Sequence, residues 1–243
     1  MLPSSRRIVL LLALAALALA PGEASRSEAA SAGSAEADAA RGWAPESGET
    51  AQALRILGDP RAGARTYETC AVCHGEGGSG RADGTFPAIA GQHTTVILKQ
   101  LVDMRAGRRR NPVMEPHVRA LVDARELADV AAYIATLPPP PDNGKGMGDA
   151  EALAEGARLY ARDCTGCHGA RAEGDAARFV PALAGQHYAY LLRQVRAIAG
   201  TRQRDAHPVM AETVAAYRDA ELRAVLDYVS RLKRTPPEAS ARP

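Results

Sequence analysis

Along most of the chain, apolar residues return every three to four positions, the spacing of one face of an α-helix. Tyr188, Leu191, Leu192, Val195, Ile198 and Ala199 form one such stripe, and Leu222, Val225, Leu226, Val229 and Leu232 form another. Earlier in the chain, Ile97, Leu98, Leu101 and Met104 mirror the first stripe, and Leu127, Val130, Ala131, Ile134 and Leu137 mirror the second. The stretches 60–71 and 148–165 also read as helix. No segment alternates apolar and polar residues long enough to specify a sheet. The pattern predicts an all-α protein.

The stripes come in two sets because the chain is duplicated. Gly63-Ala64-Arg65-x-Tyr67 and Cys70-Ala-Val-Cys73-His74-Gly75 return as Gly156-Ala157-Arg158-x-Tyr160 and Cys164-Thr-Gly-Cys167-His168-Gly169. Phe86-Pro87-Ala88-Ile89-Ala90-Gly91-Gln92-His93 returns as Val180-Pro181-Ala182-Leu183-Ala184-Gly185-Gln186-His187. Asn111-Pro112-Val113-Met114 matches His207-Pro208-Val209-Met210, and the pairs Asp123/Asp219 and Tyr133/Tyr228 align near the ends. The offset stays between 93 and 96 residues, too regular for chance. Two copies are too few for a solenoid. Each copy is expected to be a bundle of three or four helices, the first over 59–137 and the second over 150–235. Between them, 138–149 opens with four prolines and continues with Gly and Asn. It continues neither helix nor strand, and reads as a semi-rigid linker.

The ends have a different character. Arg6 and Arg7 precede an apolar run from Ile8 to Ala20, followed by small residues suited to cleavage. Residues 1–24 read as a secretory signal peptide, because thirteen apolar residues are short for a membrane span of ~20. Residues 25–58, rich in Ala, Ser, Gly and Glu, read as a flexible, mildly acidic leader that contains Trp43. Residues 236–243 form a tail.

Composition narrows the class. Apolar residues make up 46% of the 243 and charged residues 24%. That balance excludes a mainly disordered chain, a collagen and a multi-pass membrane protein. The formal charge of +2 becomes nearly neutral once Arg6 and Arg7 are removed, and no long one-sign run exists, so no nucleic-acid partner is expected. Aromatic residues are only 4%, so something other than rings must fill the two cores.

All four cysteines lie in the two Cys-x-x-Cys-His motifs, the covalent haem attachment signature. Two cysteines three apart sit on one side of a helical turn, where their thiols can add to the two vinyl groups of one haem. The following His then places its ring nitrogen beneath the iron. A four-cysteine zinc site needs its pairs ~15–20 residues apart, whereas these lie 94 apart. A dithiol redox pair has no use for the His. Two covalent haem c groups are therefore expected, on Cys70, Cys73 and His74 and on Cys164, Cys167 and His168, and their apolar bodies account for the scarcity of aromatics. For the second axial ligand, Met114 and Met210 match in Pro-Val-Met, about forty residues after each motif; His plus Met ligation raises the reduction potential. Met104 competes in the first copy, but it sits on an apolar stripe and has no counterpart, and it reads as core. Pro87 and Pro181 are candidates for the carbonyls that receive the other ring N–H of each haem-ligating His. His93, His117, His187 and His207 read as solvent-facing. Arg105, Arg108, Arg109 and Arg110, with Arg193, Arg196, Arg202 and Arg204, precede the two methionines. They can steer an acidic partner, pair with haem propionates or be solvated helix faces.

With paired Cys-x-x-Cys-His-Gly, the Pro-x-x-Ala-Gly-Gln loops at 87–92 and 181–186 and the late Pro-Val-Met, residues 60–235 resemble the two-haem class I cytochromes c, most closely the cytochrome c4 family. The resemblance implies two tandem cytochrome c-type helical domains, each wrapped around a covalently bound haem. It implies thioethers at the four cysteines and axial ligands at His74, His168, Met114 and Met210. It further implies a periplasmic electron carrier, soluble or peripherally membrane-associated. Its partners would be redox proteins: a quinol-oxidising complex or other donor, and a terminal oxidase or reductase as acceptor. A di-haem peroxidase-like enzyme would need an open iron, and the two matched methionines leave none in view. A haem subunit of a larger redox enzyme remains the alternative.

Overall fold

The computed structural model describes residues 48–200, 203 and 205–234. The signal-peptide segment, most of the leader with Trp43, Arg202, Arg204 and the tail lie outside the described residues. Among those described are ten helices and no strand beyond one isolated bridge, Asp175–Val180. The first copy contains α1 (Gly48–Leu54), α2 (Pro60–His74), α3 (Thr94–Arg105), α4 (Glu115–Ala120) and α5 (Ala124–Thr136). The second contains α6 (Ala150–Asp163), α7 (Thr165–His168), α8 (Tyr188–Ala199), α9 (Pro208–Ala215) and α10 (Asp219–Arg231). The protein is all-α, two cytochrome c-type bundles in tandem.

Local chemistry sets the ends of these helices. Asp59, Asp123 and Asp149 each accept a bond from a first-turn amide, the usual work of an N-cap. Pro60 occupies the first turn of α2, where its missing N–H costs nothing. Both haem-motif helices stop at the His, because Gly75 and Gly169 turn the chain at φ 78° and 79°.

In each copy the first and last long helices cross at a glycine. A Cβ on Gly63 would lie 1.9 Å from the Asp129 carbonyl oxygen, and one on Gly156 would lie 2.2 Å from that of Ala224. The bare backbones touch there, α2 on α5 and α6 on α10. Beside each crossing a tyrosine pair packs, Tyr67 with Tyr133 at 5.1 Å between ring centres and Tyr160 with Tyr228 at 5.8 Å. The expected stripes close the cores: Ile97, Leu98, Leu127, Val130 and Ile134 in the first copy, Leu191, Leu192, Val195, Val225 and Val229 in the second.

The flexible leader expected over 25–58 does not extend to its end. Residues 48–54 form α1, with Thr50, Ala51 and Ala53 buried and Ala53 inside the first core. Small residues fit against α3 and α5 where no apolar stripe was needed. The segment 138–149 is likewise more than a spacer. Asn143 donates to the carbonyls of Gln186 and Ser230, both at 2.8 Å, and the Gly148 amide donates to Asp227 at 2.7 Å. Its glycine and asparagine backbone lies flat enough to be strapped onto the second bundle. The haem-motif helix of the first copy runs unbroken, whereas in the second it breaks at Cys164 into α6 and α7.

Substituting Gly63→Ala or Gly156→Ala drives a methyl into backbone that cannot move aside, and each is expected to cost about 2–3 kcal/mol or more. Gly77→Ala, whose added carbon would meet only Ser79 Oγ at 3.8 Å, should stay within about 0.5 kcal/mol of wild type. Thermal or denaturant unfolding of the three variants checks the contrast.

Candidate haem sites and the seam between them

Each Cys-x-x-Cys-His stands at the end of a helix and faces one continuous cavity of about 1370 Å³, which runs through both copies. That exceeds the ~300–1,000 Å³ of an ordinary small-molecule pocket. Its wall includes Cys70, Cys73, His74 and Met114 from the first copy, and Cys164, Cys167, His168 and Met210 from the second. Met104, buried on α3, also reaches this wall, so the cavity by itself does not separate it from Met114. Met114 sits at the N-terminal end of α4, and Met210 lies in the first turn of α9. Neither short helix was expected, because each is too short to show a stripe.

The two histidines are held alike. His74 Nδ1 lies 3.0 Å from the Pro87 carbonyl oxygen, and His168 Nδ1 lies 3.1 Å from that of Pro181. A carbonyl only accepts, so Nδ1 carries the hydrogen and the neutral ring keeps its lone pair on Nε2. Burial pushes both imidazoles below their ordinary value, more strongly than the Pro carbonyl raises them. That favours the neutral ring a metal requires. Burial also pushes the Cys70 thiol up and the Cys164 thiol up to about 11, the opposite of an activated dithiol. Tyr67 and Tyr160, the tyrosines of the repeated Gly-Ala-Arg-x-Tyr, brace the turns after the haem motifs: their hydroxyls donate to the carbonyls of Gly75 (2.8 Å) and Gly169 (2.6 Å). An apolar cavity, two thiols and a neutral imidazole on its wall fit a covalently attached haem in each copy.

The Pro loops continue directly into the seam that joins the copies. Gln186 accepts from the Ala88 amide (2.9 Å) and donates to the Ala88 carbonyl (2.7 Å). Gln92 does the same to Ala182, at 3.0 and 2.9 Å. The clasp is reciprocal, like an isologous dimer interface inside one chain. The histidines that follow extend it. His93 Nε2 donates to the Glu173 carbonyl, and His187 Nε2 to the Ser79 carbonyl, both at 2.8 Å. His187 is only 2% exposed and His93 is half-buried. The reading of these two as solvent-facing is therefore corrected, whereas His117 is exposed. The missed signal was available: Gly-Gln-His is identical in both copies without being a haem ligand set.

The arginines before each methionine are mostly consumed within the fold. Arg109 is buried and pairs with Asp205 across the seam at 2.9 Å, while also donating to Gln194 and Tyr190. Arg105 pairs with Glu49 and donates to the carbonyls of Val118 and Leu121. Arg108 pairs with Asp103, Arg196 with Asp219, and Arg193 donates to the Gly84 carbonyl. Arginine provides the many-donor fork that carbonyl and carboxylate partners require. Among the described residues, no helix is long and apolar enough to cross a membrane.

A cytochrome c family model matches residues 60–138 and again 153–233. The chain is 39% identical over 168 residues to a thiosulfate dehydrogenase electron acceptor of Stutzerimonas stutzeri, covering 65% of this chain and 76% of that one. It is 35% identical over 187 residues to cytochrome c4 of Thiocapsa roseopersicina, covering 72% and 94%. Among solved structures, reduced recombinant cytochrome c4 from Pseudomonas stutzeri superimposes with a TM-score of 0.64 at 28% identity, over 72% of this chain and 99% of that one.

His187 gives the seam a pH dependence. The Gly144 amide donates to its Nδ1 at 3.0 Å, a bond that only the neutral ring can accept. Burial pushes its pKa below the ordinary 6.5, outweighing the upward pull of the Ser79 carbonyl and Asp83. The unfolded ring then binds protons more tightly than the folded one, so this stabilisation is full above pH 6.5 and is lost as pH falls. The stability gap between wild type and His187→Gln should narrow below pH 6.5; a gap independent of pH in denaturant titrations contradicts the assignment.

Proposed function

The chain belongs to the cytochrome c family as a two-domain, cytochrome c4-like member with two covalently bound haem c groups, and on that premise we propose that this di-haem electron carrier works in the periplasm. It takes electrons from a quinol-oxidising complex or another redox protein and passes them to a terminal oxidase or reductase. The observation that carries the reading is the presence on one cavity wall of two equivalent sets, each with two cysteines, a His held through Nδ1 and a Met. Each haem c, when bound, supplies an iron that takes up and returns one electron.

The chain's own residues do the rest. Cys70, Cys73, Cys164 and Cys167 anchor the groups as thioethers. His74 and His168 would hold each haem iron through Nε2, with the Pro87 and Pro181 carbonyls fixing ring orientation and basicity. Met114 and Met210, on the same cavity wall, would hold the iron through a soft thioether that favours its reduced state. The aliphatic wall around Ile97, Leu101, Leu191 and Val195 keeps water from the site. A His and a Met at each site leave no iron position for substrate, which supports a carrier and not an enzyme. Export follows from the segment 1–24; the first domain takes in α1 besides 59–137, and 138–149 joins it to the second at 150–235.

A second reading is favoured by one comparison. The S. stutzeri relative is named for accepting electrons from thiosulfate dehydrogenase. In that reading the present protein accompanies a dehydrogenase as its haem-bearing partner, and co-purification from native cells separates the two.

Met114→Ala and Met210→Ala are each expected to remove about half of the far-red methionine-to-iron absorption and to lower one haem's potential. Met104→Ala should leave the band intact. Loss of the band on removing Met104, but not Met114, moves the first copy's ligand to α3.

A further inference from the structure

One half-buried cation of the seam, Arg234, has no task in the haem sites as described. Arg234 follows α10, three residues after its last turn. Its Nη1 donates to the Ala90 carbonyl of the first copy at 2.6 Å. Its Nη2 and Nε donate to the carbonyls of Ala182 (3.2 Å) and Ala184 (2.9 Å) in the second. All three acceptors lie in the loops whose Pro87 and Pro181 carbonyls hold His74 and His168. Sequence offered no hint of this, because Arg234 stands outside every repeated motif.

Its charge is uncompensated in a way its neighbours' charges are not. Arg109 is neutralised by Asp205, and Lys99 by Asp103 at 2.6 Å. The three acceptors of Arg234 are neutral carbonyls. Burial pushes its pKa down to about 10, and no carboxylate among the described residues pairs with it. The guanidinium therefore stays protonated at neutral pH.

We propose that Arg234 is a positioning residue that sets the potentials of both haems together, by stapling the two proximal loops with a full charge that no carboxylate among the described residues pairs with. This rests on the reading of His74 and His168 as axial ligands. A fixed cation in a poorly screened interior favours the reduced, less positive iron. Because one side chain bridges both loops, it acts on both irons at once. Releasing the loops would work in the opposite direction, since a weaker bond at Nδ1 makes the imidazole a poorer electron donor. The charge effect is the larger one, because the loops keep independent supports. Gln92 and Gln186 hold them across the seam. The amides of Ile89 and Leu183 tie them to the carbonyls of Gly78 and Ala172, both at 2.8 Å.

The test is a redox titration of the full haem-loaded protein and of Arg234→Gln, Arg234→Met and Arg234→Lys. Both charge-free variants should lower the reduction equilibrium constant of both haems in parallel, by about tenfold, which is 59 mV for one electron. Arg234→Lys keeps the charge but loses the fork. It should hold both potentials near wild type while melting at a lower temperature. Unchanged potentials in the charge-free variants, a shift of only one haem, or a Lys variant that falls as far as Gln would each overturn the proposal. Haem content and the methionine band of the wild type are read in the same samples. Their absence refutes the axial-ligand reading itself, separately from the role of Arg234.

Discussion

Everything in this molecule depends on a six-residue loop that occurs twice and does two jobs. At its start, the carbonyl of Pro87 or Pro181 fixes the histidine of its own copy. One residue later, the amide of Ala88 or Ala182 donates to the other copy's glutamine and its carbonyl accepts from the same side chain. The support of each haem site is thus continuous with the contact between the sites. Four hydrogen bonds of about 1 kcal/mol each are modest in sum. They are hard to replace, because breaking the clasp leaves buried amides and carbonyls unpaired. The two sites are in this way held at a fixed relation, as a relay requires and as two beads on a string would not provide.

The charged residues serve the same constraint. A buried ion pair contributes little net stability but penalises any arrangement that separates it. Arg109 and Asp205 come from opposite copies and meet with side chains that are 10% and 5% exposed. Rotating one copy on the other would strand both. The pair selects one docking geometry, and the clasp and the cores provide the binding. The near-neutral balance of the chain agrees with charges spent internally and not displayed as a single patch.

Most of the architecture was legible in the sequence because its causes are local. Stripes at helical spacing gave α3, α5, α8 and α10, and the repeated motif located both sets of cysteine and histidine. What escaped was whatever depends on the partner copy. His93 and His187 follow a loop and precede a helix, a setting that usually faces solvent; each is covered only by the other copy docked against it. Arg109 looked like one of several surface arginines until Asp205 arrived from 96 residues away. α1 was hidden because its buried residues are alanine and threonine, which carry no hydrophobic stripe. The strap at 143–148 was hidden because glycine signals a turn, not what the turn lies against.

The proposed function makes one central claim: two equivalent haem sites, each to be held by a His and a Met, are locked together as one relay. Near-identical ligand sets require near-equal potentials, split only by small differences such as Asn111 against His207 beside the methionines. A spectroelectrochemical titration of the purified protein, repeated with cyanide, tests this most directly. The account predicts two resolvable one-electron steps that lie close together, both at positive potential and neither altered by cyanide. Steps separated by several hundred millivolts, or a high-spin iron that binds cyanide in the resting protein, would contradict it.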